Sequence, residues 1–300
     1  MIVISEMIHP IALDILSSHE VYYDPELYRN PDALFAHVAL ARGLIVRNKT
    51  QVNAELMAGA PYVQAVGRLG VGLDNIDQEV LQQSGVQLIV PQGANAISVA
   101  EYVLGMTIAF QRRFLRMTSQ VRQGQWIRDM SGGELAGKTL AVIGYGATGQ
   151  AVALRAQAFG MVLKIFDPYA KTATPGNTRT LEEALKGADI VSLHVPLSHE
   201  THHLINQSTL RLLHSHSLII NTARGELINE PDLLRALETK KLGGAILDVR
   251  ETEPPQTGDL LSALPNVFST PHIAGLTEDS QLAIARYVAE GIKKVVEMNS

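Results

Sequence analysis

The sequence has no cysteine among its 300 residues. This absence excludes disulfide bonds, thiolate nucleophiles and cysteine-ligated metal sites, and it is typical of a reducing compartment. No apolar run reaches the roughly 18 residues that a membrane-spanning helix needs. The segment from Met1 to Ile8 also lacks the basic start and long apolar stretch of a secretory signal peptide. We therefore expect a cytoplasmic protein with no membrane partner.

Charge is also scarce: 18% of the residues are charged, and the formal net charge is −5. Such a chain has no general basic surface, so we expect no nucleic-acid partner. The hydrophobic content of 46% is typical of a globular protein, and 300 residues are enough for two domains. An anionic ligand would have to be held by a few placed arginines.

Short apolar runs recur along the chain, each followed by a helical pattern. They are Ile2–Ile4, Leu44–Val46, Val63–Val66, Leu88–Val90, Leu140–Ile143, Val162–Phe166, Ile190–Leu193, Leu218–Ile220, Ala245–Val249 and Val267–Phe268. This alternation is typical of buried parallel strands in βαβ units. Ten such runs are too many for one simple sheet. We therefore predict an α/β fold with two doubly wound parallel-sheet domains.

Two amphipathic helices mark the predicted crossings between the domains. Ser98 and Glu101 have the spacing of a capping box at the start of one helix, and the second helix follows Thr277. We predict that residues 1–96 and 277–300 form one domain and residues 97–276 the other.

A glycine-rich motif, Gly-Tyr-Gly-Ala-Thr-Gly from Gly144 to Gly149, lies between a predicted strand and a predicted helix. Asp167 follows 18 residues after the last glycine, at the end of the next predicted strand. In this context the glycines and the helix N-terminus bind a diphosphate, and the acid accepts hydrogen bonds from the adenosine ribose. A 2′-phosphate would meet the Asp167 carboxylate, so NAD is favoured over NADP, although Lys171 lies nearby.

Three polar residues, Arg224, Glu253 and His272, each follow a predicted strand. Ligands of doubly wound sheets bind outside the carboxyl ends of the strands. Reduction of a 2-keto acid needs a hydride and a proton, and a protonated histidine can donate that proton. A carboxylate beside the histidine stabilises the imidazolium, and an arginine can pair with the substrate carboxylate. We predict these three residues as the catalytic set.

With these residues in place, the chain resembles the D-isomer-specific 2-hydroxyacid dehydrogenases from Leu44 to Gly275. The motifs that carry the resemblance are Gly67–Asp77, Gly93–Glu101, Gly144–Gly149, Leu193–Leu197, Asn221–Gly225, Thr252–Pro254 and Pro271–Ile273. The resemblance implies a Rossmann NAD-binding domain inserted in a flavodoxin-like substrate domain.

The resemblance also implies roles for individual residues. Arg224 would orient the substrate, Glu253 would partner the acid/base, and His272 would be the acid/base. Asp248 would bind the nicotinamide carboxamide. The residues placed against NAD are Gly144, Gly146, Ala147, Thr148, Gly149, Asp167, His194, Pro196, Thr222 and Asp248. The loop of Leu69, Gly70, Val71 and Gly72 would bind the substrate carboxylate through backbone amides. By the same resemblance, the stretch from Val99 to Trp126 would form the contact between the two chains of a homodimer.

Two arginines, Arg47 and Arg68, lie near predicted strand ends in the substrate domain. This stretch resembles the 3-phosphoglycerate dehydrogenase branch, in a short form without its regulatory domain. Guanidinium groups match phosphate and sulfonate geometry, so we expect a second anion at C3 of the substrate. The first candidate is 3-phosphoglycerate and an alternative is 3-sulfolactate. The alternative is that Arg47 and Lys49 are solvated loop charges. Because the regulatory domain is missing, hydroxypyruvate or glyoxylate reduction also remains open.

Two other classes of protein are alternatives. An NAD-sensing corepressor-like binding protein shares this fold, but the sequence keeps all three catalytic candidates. A hydrolase of the adenosylhomocysteine type would need cysteine chemistry that is missing. The remaining histidines, His199, His202, His203, His214 and His216, have no carboxylate at ligand spacing, so no metal site is predicted.

Overall fold

The computed structural model describes residues 1–128, 132–170 and 176–298, and the chain forms two units. The terminal unit consists of Met1–Asn95 and Leu276–Ser300, and the central unit is Ala96–Gly275. The boundaries predicted from the sequence, after residues 96 and 276, each lie one residue C-terminal to these observed boundaries. Among the described residues, no helix is long and apolar enough to cross a membrane.

The terminal unit contains a five-stranded parallel sheet in the order β2-β1-β3-β4-β5, the flavodoxin-like order. Its strands are β1 (Ile2–Ile4), β2 (Val21–Tyr23), β3 (Gly43–Val46), β4 (Ala65–Arg68) and β5 (Gln87–Ile89). Its helices are α1 (Ile11–Ile15), α2 (Pro31–Val38), α3 (Ala54–Ala58), α4 (Gln78–Gln83) and, later in the chain, α12 (Glu278–Met298), with a short 3₁₀ turn at Leu27–Arg29.

Two glycines let α12 approach the sheet of the terminal unit closely. A Cβ on Gly67 would lie 2.5 Å from Val288 Cγ1, and one on Gly43 would lie 2.8 Å from Ile292 Cγ2. Because neither glycine has a side chain, the apolar face of α12 packs directly on β3 and β4. Other residues of that face, such as Ile284, are buried in the same core cluster.

The central unit contains a six-stranded parallel sheet in the order β11-β10-β9-β8-β6-β7. Its strands are β6 (Thr139–Ile143), β7 (Val162–Phe166), β8 (Ile190–Leu193), β9 (Leu218–Asn221), β10 (Gly244–Leu247) and β11 (Val267–Ser269). Its helices are α5 (Ala96–Gln111), α6 (Phe114–Arg122), α7 (Ala147–Ala158), α8 (Leu181–Leu185), α9 (Gln207–Leu210), α10 (Glu230–Glu238) and α11 (Leu260–Ala263), with a 3₁₀ turn at Gly225–Leu227. An isolated parallel bridge joins Ile165 to Asn177 beyond the sheet.

Both faces of the central sheet are covered by helices. One core cluster packs Ile143, Val191 and Leu233 together, and the other packs Val142, Val152 and Val103 together. Since side chains alternate between the two faces of a strand, a strand covered on both sides needs a continuous apolar run. The prediction of two doubly wound parallel sheets is confirmed.

Several details differ from the sequence prediction. Strand β2 was missed, because it is a three-residue edge strand whose residues are only half-buried or exposed. Strand β4 begins at Ala65 instead of Val63. The capping box was wrong: α5 begins at Ala96, so Ser98 is buried inside the first turn, and the Glu101 carboxylate lies 3.7 Å from Arg155 on α7.

Candidate active site

The three predicted catalytic residues follow three neighbouring strands of the central sheet. Arg224 follows β9, Glu253 follows β10 and His272 follows β11, and these strands are adjacent and parallel. Their carboxyl ends therefore lie at one edge of the sheet. The loops after β6, β7 and β8, which carry the glycine motif, Asp167 and His194, leave from the same edge.

His272 and Glu253 are in hydrogen-bond contact, with 2.9 Å between His272 Nδ1 and Glu253 Oε2. Both side chains are partly open to solvent, with 52% and 39% exposed. The backbone of His272 has a φ of 57°, which is unusual for a residue other than glycine and is found often at functional sites. The amide of His272 donates to the Asp248 carbonyl oxygen at 2.9 Å and fixes this turn. An imidazole held on a carboxylate can donate or accept a proton at Nε2.

Asp248 builds the loop that carries His272. Its carboxylate is 1% exposed and accepts hydrogen bonds from the Ile273 amide at 2.8 Å, the Ala274 amide at 2.7 Å and the Thr270 hydroxyl at 2.5 Å. The Thr270 hydroxyl is also 2.5 Å from the Tyr102 hydroxyl. Burial raises the pKa of Tyr102 to about 12, so this phenol stays protonated. A nicotinamide carboxamide that binds Asp248 would have to donate to a carboxylate lone pair that these three donors do not occupy.

Asn221, the last residue of β9, shapes the turn before Arg224. Its side chain donates to the Arg224 carbonyl oxygen at 2.7 Å and accepts from the Ala223 amide at 3.1 Å. Arg224 Nη1 donates to the Ala223 carbonyl oxygen at 2.6 Å. A Cβ on Gly225 would lie 1.9 Å from the Arg250 carbonyl carbon. The Arg224 turn therefore lies directly against the loop that carries Glu253.

The glycine motif forms a tight turn between β6 and α7. Gly144 has a φ of 94°, and a Cβ there would lie 2.5 Å from the His194 carbonyl oxygen. A Cβ on Gly149 would lie 2.0 Å from the Gly144 carbonyl oxygen. Any side chain at these two positions would open the turn, whereas a Cβ on Gly146 would meet nothing within 4 Å.

Features of the glycine turn and of the segment after β9 fit a bound dinucleotide. The N-cap of α7 is Gly146, so no side chain caps the first amides of the helix, and those amides can donate to an anion. The buried hydroxyl oxygen of Thr222 has no hydrogen-bond partner within the described ranges. Burial costs an unpaired polar group free energy, and a polar ligand would supply the partner. Ala147 and Thr148 form the first turn of α7.

Asp167 lies beside the glycine turn. Its carboxylate accepts from the Tyr145 amide at 2.7 Å and from the Tyr169 amide at 2.8 Å. These hydrogen bonds hold the Asp167 carboxylate next to the motif, where it would meet the 2′-phosphate of NADP. Lys171, the cation that weakens that argument, lies outside the described residues.

His194 lies at the end of β8, and its Nε2 is 2.8 Å from the Ser192 hydroxyl. Desolvation lowers the pKa of His194 to about 4, so its imidazole is neutral near pH 7. Pro196, two residues later, is exposed.

In the terminal unit, Arg47 and Arg68 lie at the ends of two paired strands. Arg47 follows β3, and Arg68 ends β4, where it pairs in register with Val46. The Arg68 guanidinium folds back over its own loop, and its Nη1 donates to the Leu69 carbonyl oxygen at 2.9 Å. The structure thus brings the two arginine backbones to one edge of the sheet.

Glu6 holds the loop that carries Arg47, and sequence reasoning missed it. Its carboxylate is 3% exposed and accepts the backbone amides of four consecutive residues at 2.8–3.1 Å, namely Arg47, Asn48, Lys49 and Thr50. Burial alone raises the pKa of the Glu6 carboxyl, but the four amides outweigh burial and lower the pKa below its ordinary value. The signal available in the sequence was a single acidic residue, Glu6, two positions after the predicted strand Ile2–Ile4.

The loop of residues 69–72 offers fewer amides than the sequence suggests. The Leu69 amide donates to the Val46 carbonyl oxygen at 2.8 Å and the Gly70 amide to the Arg68 carbonyl oxygen at 2.9 Å. Both bonds lie inside the terminal unit. Of the four predicted residues, Val71 and Gly72 are therefore the better candidates to donate to a substrate carboxylate.

Two of the five remaining histidines each lie beside one acid. His203 Nε2 lies 2.8 Å from Glu251, and His216 Nε2 lies 3.0 Å from Asp189. In the part of the chain that the structure describes, no group of three or more histidine, aspartate or glutamate residues is placed to hold a metal ion.

Comparison with known proteins identifies the family of the central unit. A sequence model described as the D-isomer specific 2-hydroxyacid dehydrogenase NAD-binding domain matches residues 104–274, more than half of the chain. The matched segment contains the glycine motif and all three predicted catalytic residues. The predicted cofactor, NAD, agrees with this family.

Individual relatives divide among several substrates. The chain is 39% identical to an (S)-sulfolactate dehydrogenase of Chromohalobacter salexigens, covering 98% of each protein. It is 38% identical to a D-3-phosphoglycerate dehydrogenase of Methanocaldococcus jannaschii, covering 98% of this chain but only 57% of that protein. It is 38% identical to a hydroxypyruvate reductase of Thermotoga maritima, covering 84% and 83%.

Solved structures share the fold over nearly the whole chain. The TT0316 protein of Thermus thermophilus has a TM-score of 0.92 at 33% identity, covering 99% of this chain and 97% of that one. A D-lactate dehydrogenase of Aquifex aeolicus, solved with NAD and lactic acid, has a TM-score of 0.88 at 28% identity, covering 99% and 96%.

Proposed function

The chain belongs to the D-isomer specific 2-hydroxyacid dehydrogenases and is an NAD-dependent oxidoreductase, and on that premise we propose that its substrate carries a second anion at C3. The observation behind the proposal is the pair of arginines, Arg47 and Arg68, at the ends of paired strands β3 and β4. Two arginines whose backbones lie at one sheet edge would suit a phosphate or a sulfonate, because guanidinium groups match the geometry of these anions.

The proposed chemistry uses the residues after β9, β10 and β11. NADH, when bound, would supply a hydride to the C2 carbonyl of the keto acid. His272, protonated, gives its Nε2 proton to the carbonyl oxygen and becomes neutral. Glu253 accepts the Nδ1 hydrogen of His272 at 2.9 Å, which orients the imidazole and stabilises its charged form. Arg224 pairs with the substrate carboxylate and polarises the carbonyl.

NAD would be held by the residues predicted from the sequence. Gly144, Gly146 and the first turn of α7 would bind the diphosphate, and Asp167 would accept from the adenosine ribose. Thr222, His194 and Pro196 would line the cofactor, and Asp248 would meet the carboxamide. Support comes from the uncapped helix N-terminus and from the unpartnered Thr222 hydroxyl.

The candidate substrates differ in whether they carry a second anion at C3 and in which anion it is. The pair 3-phosphoglycerate/3-phosphohydroxypyruvate is our first candidate, because the Arg47–Arg68 stretch resembles phosphoglycerate dehydrogenases. The pair 3-sulfolactate/3-sulfopyruvate is the second, favoured by the relative that the chain matches over 98% of both proteins. Hydroxypyruvate and glyoxylate lack this anion, so the arginines would add little to their binding.

The test is NADH oxidation by the purified protein with 3-phosphohydroxypyruvate, 3-sulfopyruvate, hydroxypyruvate, glyoxylate and pyruvate. Arg47→Gln and Arg68→Gln should each raise KM about 10- to 100-fold for the preferred anionic substrate, since a charge-assisted pair contributes about 1.5–3 kcal/mol. Neither change should alter kcat/KM for hydroxypyruvate by more than about threefold. Arg29→Gln, an exposed arginine of the same unit, is the matched control.

The outcomes are distinct. Preference for phosphohydroxypyruvate or sulfopyruvate, lost in the arginine variants, supports the proposal and identifies the anion. Equal or better turnover of hydroxypyruvate or glyoxylate contradicts it and leaves the dehydrogenase assignment intact. His272→Ala should abolish turnover of every substrate, and binding of NADH without any turnover would revive the NAD-sensing alternative.

The homodimer also stays a proposal. It is supported by helix α6, in which no residue is buried within its own chain.

A further inference from the structure

The guanidinium of Arg250 is almost fully buried beneath the loop that carries Glu253. Its side chain is 5% exposed. Nε and Nη2 donate to the two carboxylate oxygens of Glu230 at 2.7 and 2.9 Å, and Nη1 and Nη2 donate to those of Asp259 at 2.8 and 2.9 Å. Nη1 also lies 3.2 Å from the Ser262 hydroxyl. Two bidentate pairs on one guanidinium fix its position and its plane.

The two carboxylates belong to different helices. Glu230 is the first residue of α10, and Asp259 caps the N-terminus of α11 by accepting the Ser262 amide at 2.8 Å. Arg250 therefore ties the loop after β10 to both helices. The hydrogen bonds from Arg250 hold the pKa of Asp259 far below its ordinary value, and those to Glu230 raise the pKa of Arg250. We call Arg250, Glu230 and Asp259 the Arg250 clamp.

A hydrogen bond links the Arg250 clamp directly to the predicted acid/base pair. The backbone amide of Arg250 donates to Glu253 Oε1 at 3.1 Å, while Glu253 Oε2 accepts from His272 Nδ1 at 2.9 Å. The next amide, that of Glu251, donates to Glu230 Oε1 at 3.0 Å. The position of the Glu253 carboxylate thus depends on a backbone that the clamp fixes at two successive residues.

Stability alone does not explain this arrangement, because a buried ion cluster often stabilises a fold no more than apolar residues of the same size. Misplacing a catalytic group by about 1 Å can lower a rate by about 100-fold. We propose that Arg250 is a positioning residue: through the clamp it sets the orientation of Glu253 against His272. This inference rests on the proposed roles of Glu253 and His272.

The test removes the clamp without leaving unpaired buried charges. The triple variant Arg250→Met/Glu230→Gln/Asp259→Asn keeps the side-chain volumes similar and removes the charge from all three groups. We expect kcat for NADH-dependent reduction of 3-phosphohydroxypyruvate, or of hydroxypyruvate if the former is not turned over, to fall about 10- to 100-fold. NADH affinity, followed by fluorescence, should change less than about twofold, because the clamp touches none of the proposed NAD residues.

A double-mutant cycle shows whether the clamp acts through Glu253. In a Glu253→Ala background the same triple change should lower kcat by less than about threefold, since the group that it positions is gone. Arg250→Lys, which keeps the charge but loses bidentate geometry, should lower kcat about 3- to 10-fold, again only when Glu253 is present. This milder variant decides the question if the triple variant does not fold.

The controls separate the possible failures. Asp189→Asn removes a structural carboxylate of the same unit, which accepts from the Thr139 amide and His216, and it should leave kcat unchanged. An unchanged kcat in the folded clamp variants, or an equal loss with and without Glu253, overturns the inference. If Glu253→Ala itself retains the wild-type kcat, the proposed acid/base pair is wrong instead.

Discussion

Three carboxylates next to the predicted ligand sites accept backbone amides. Asp167 accepts two amides beside the glycine turn, Asp248 accepts two in the His272 loop, and Glu6 accepts four in the Arg47 loop. Each of these acids shapes a loop and places a negative charge in it. A change of one carboxylate to its amide therefore tests both effects, because the amide has one acceptor oxygen and two donor hydrogens.

Asp167→Asn is predicted to weaken the preference for NADH. Without the charge, a ribose hydroxyl loses a charged acceptor, and a 2′-phosphate no longer meets a carboxylate. We expect KM for NADH to rise about tenfold and the kcat/KM ratio of NADH to NADPH to fall about 10- to 100-fold. Steady-state kinetics with both coenzymes measures this ratio. Glu182→Gln, an exposed acid of the same unit, should leave the ratio unchanged, and an unchanged ratio in Asp167→Asn would contradict the proposed ribose contact.

Among the secondary-structure elements, β1 and β3 are joined beyond their hydrogen-bonded registers. Glu6 lies just after β1, and the loop that it caps lies just after β3. The Ser5 hydroxyl is also 2.8 Å from that of Thr50, and the Asn75 side chain donates to the Thr50 carbonyl oxygen at 2.7 Å. The Arg47 loop is thus fixed from β1 and from the segment before α4.

The lowered pKa of Glu6 predicts acid lability of the terminal unit. A carboxyl whose pKa is lower in the folded state stabilises that state above its ordinary pKa, and this contribution is lost as the pH falls through the lowered value. Glu6→Gln should cost about 1–3 kcal/mol of the free energy of unfolding near pH 7, because the buried amides lose charged acceptors. The cost should shrink progressively below about pH 4.5.

Urea denaturation at several pH values measures this difference. Glu20→Gln, an exposed acid of the same unit, should show a loss of less than about 0.5 kcal/mol. A cost for Glu6→Gln that stays constant from neutral to acid pH would show that the Glu6 charge does not stabilise the loop.

For the whole molecule, the exposed apolar side chains of the α6 region are the main unexplained feature. Phe114 and Leu115 on α6 and Trp126 just after it are exposed, Trp126 by 79%. A contiguous apolar patch on a surface is typical of a contact with another chain, and we propose that these side chains form one. A second copy of the chain would cover this region, as the proposed homodimer requires.

Size-exclusion chromatography with light scattering tests the dimer. The wild-type protein should have twice the mass of one chain, and Leu115→Glu combined with Trp126→Ser should have the mass of a single chain. Tyr62→Ser, an exposed aromatic side chain of the terminal unit, should remain a dimer. A wild-type protein with the mass of one chain defeats the proposal.

The sequence by itself determined the local features of this protein. Continuous apolar runs such as Ile190–Leu193 indicate strands buried on both faces, and β8 has the same bounds. The order of strand, glycines, helix and acid indicated the dinucleotide turn. Arg224, Glu253 and His272 were predicted as catalytic residues because each follows a strand. In all these cases the signal lies within one strand or one strand–helix–strand segment, where backbone geometry and burial leave a pattern.

Only the tertiary structure decided which distant groups meet. Glu6 reaches amides 41–44 residues away, and Arg250 meets Glu230 20 residues before it and Asp259 9 residues after it. Strand β2 (Val-Tyr-Tyr) was missed, and only the folded chain shows it, half-buried at a sheet edge. Partners at such separations are set by how strands and helices pack, and no pattern within a few residues records that packing. The carboxylates and the arginine that support the predicted active site therefore became visible only in the folded chain.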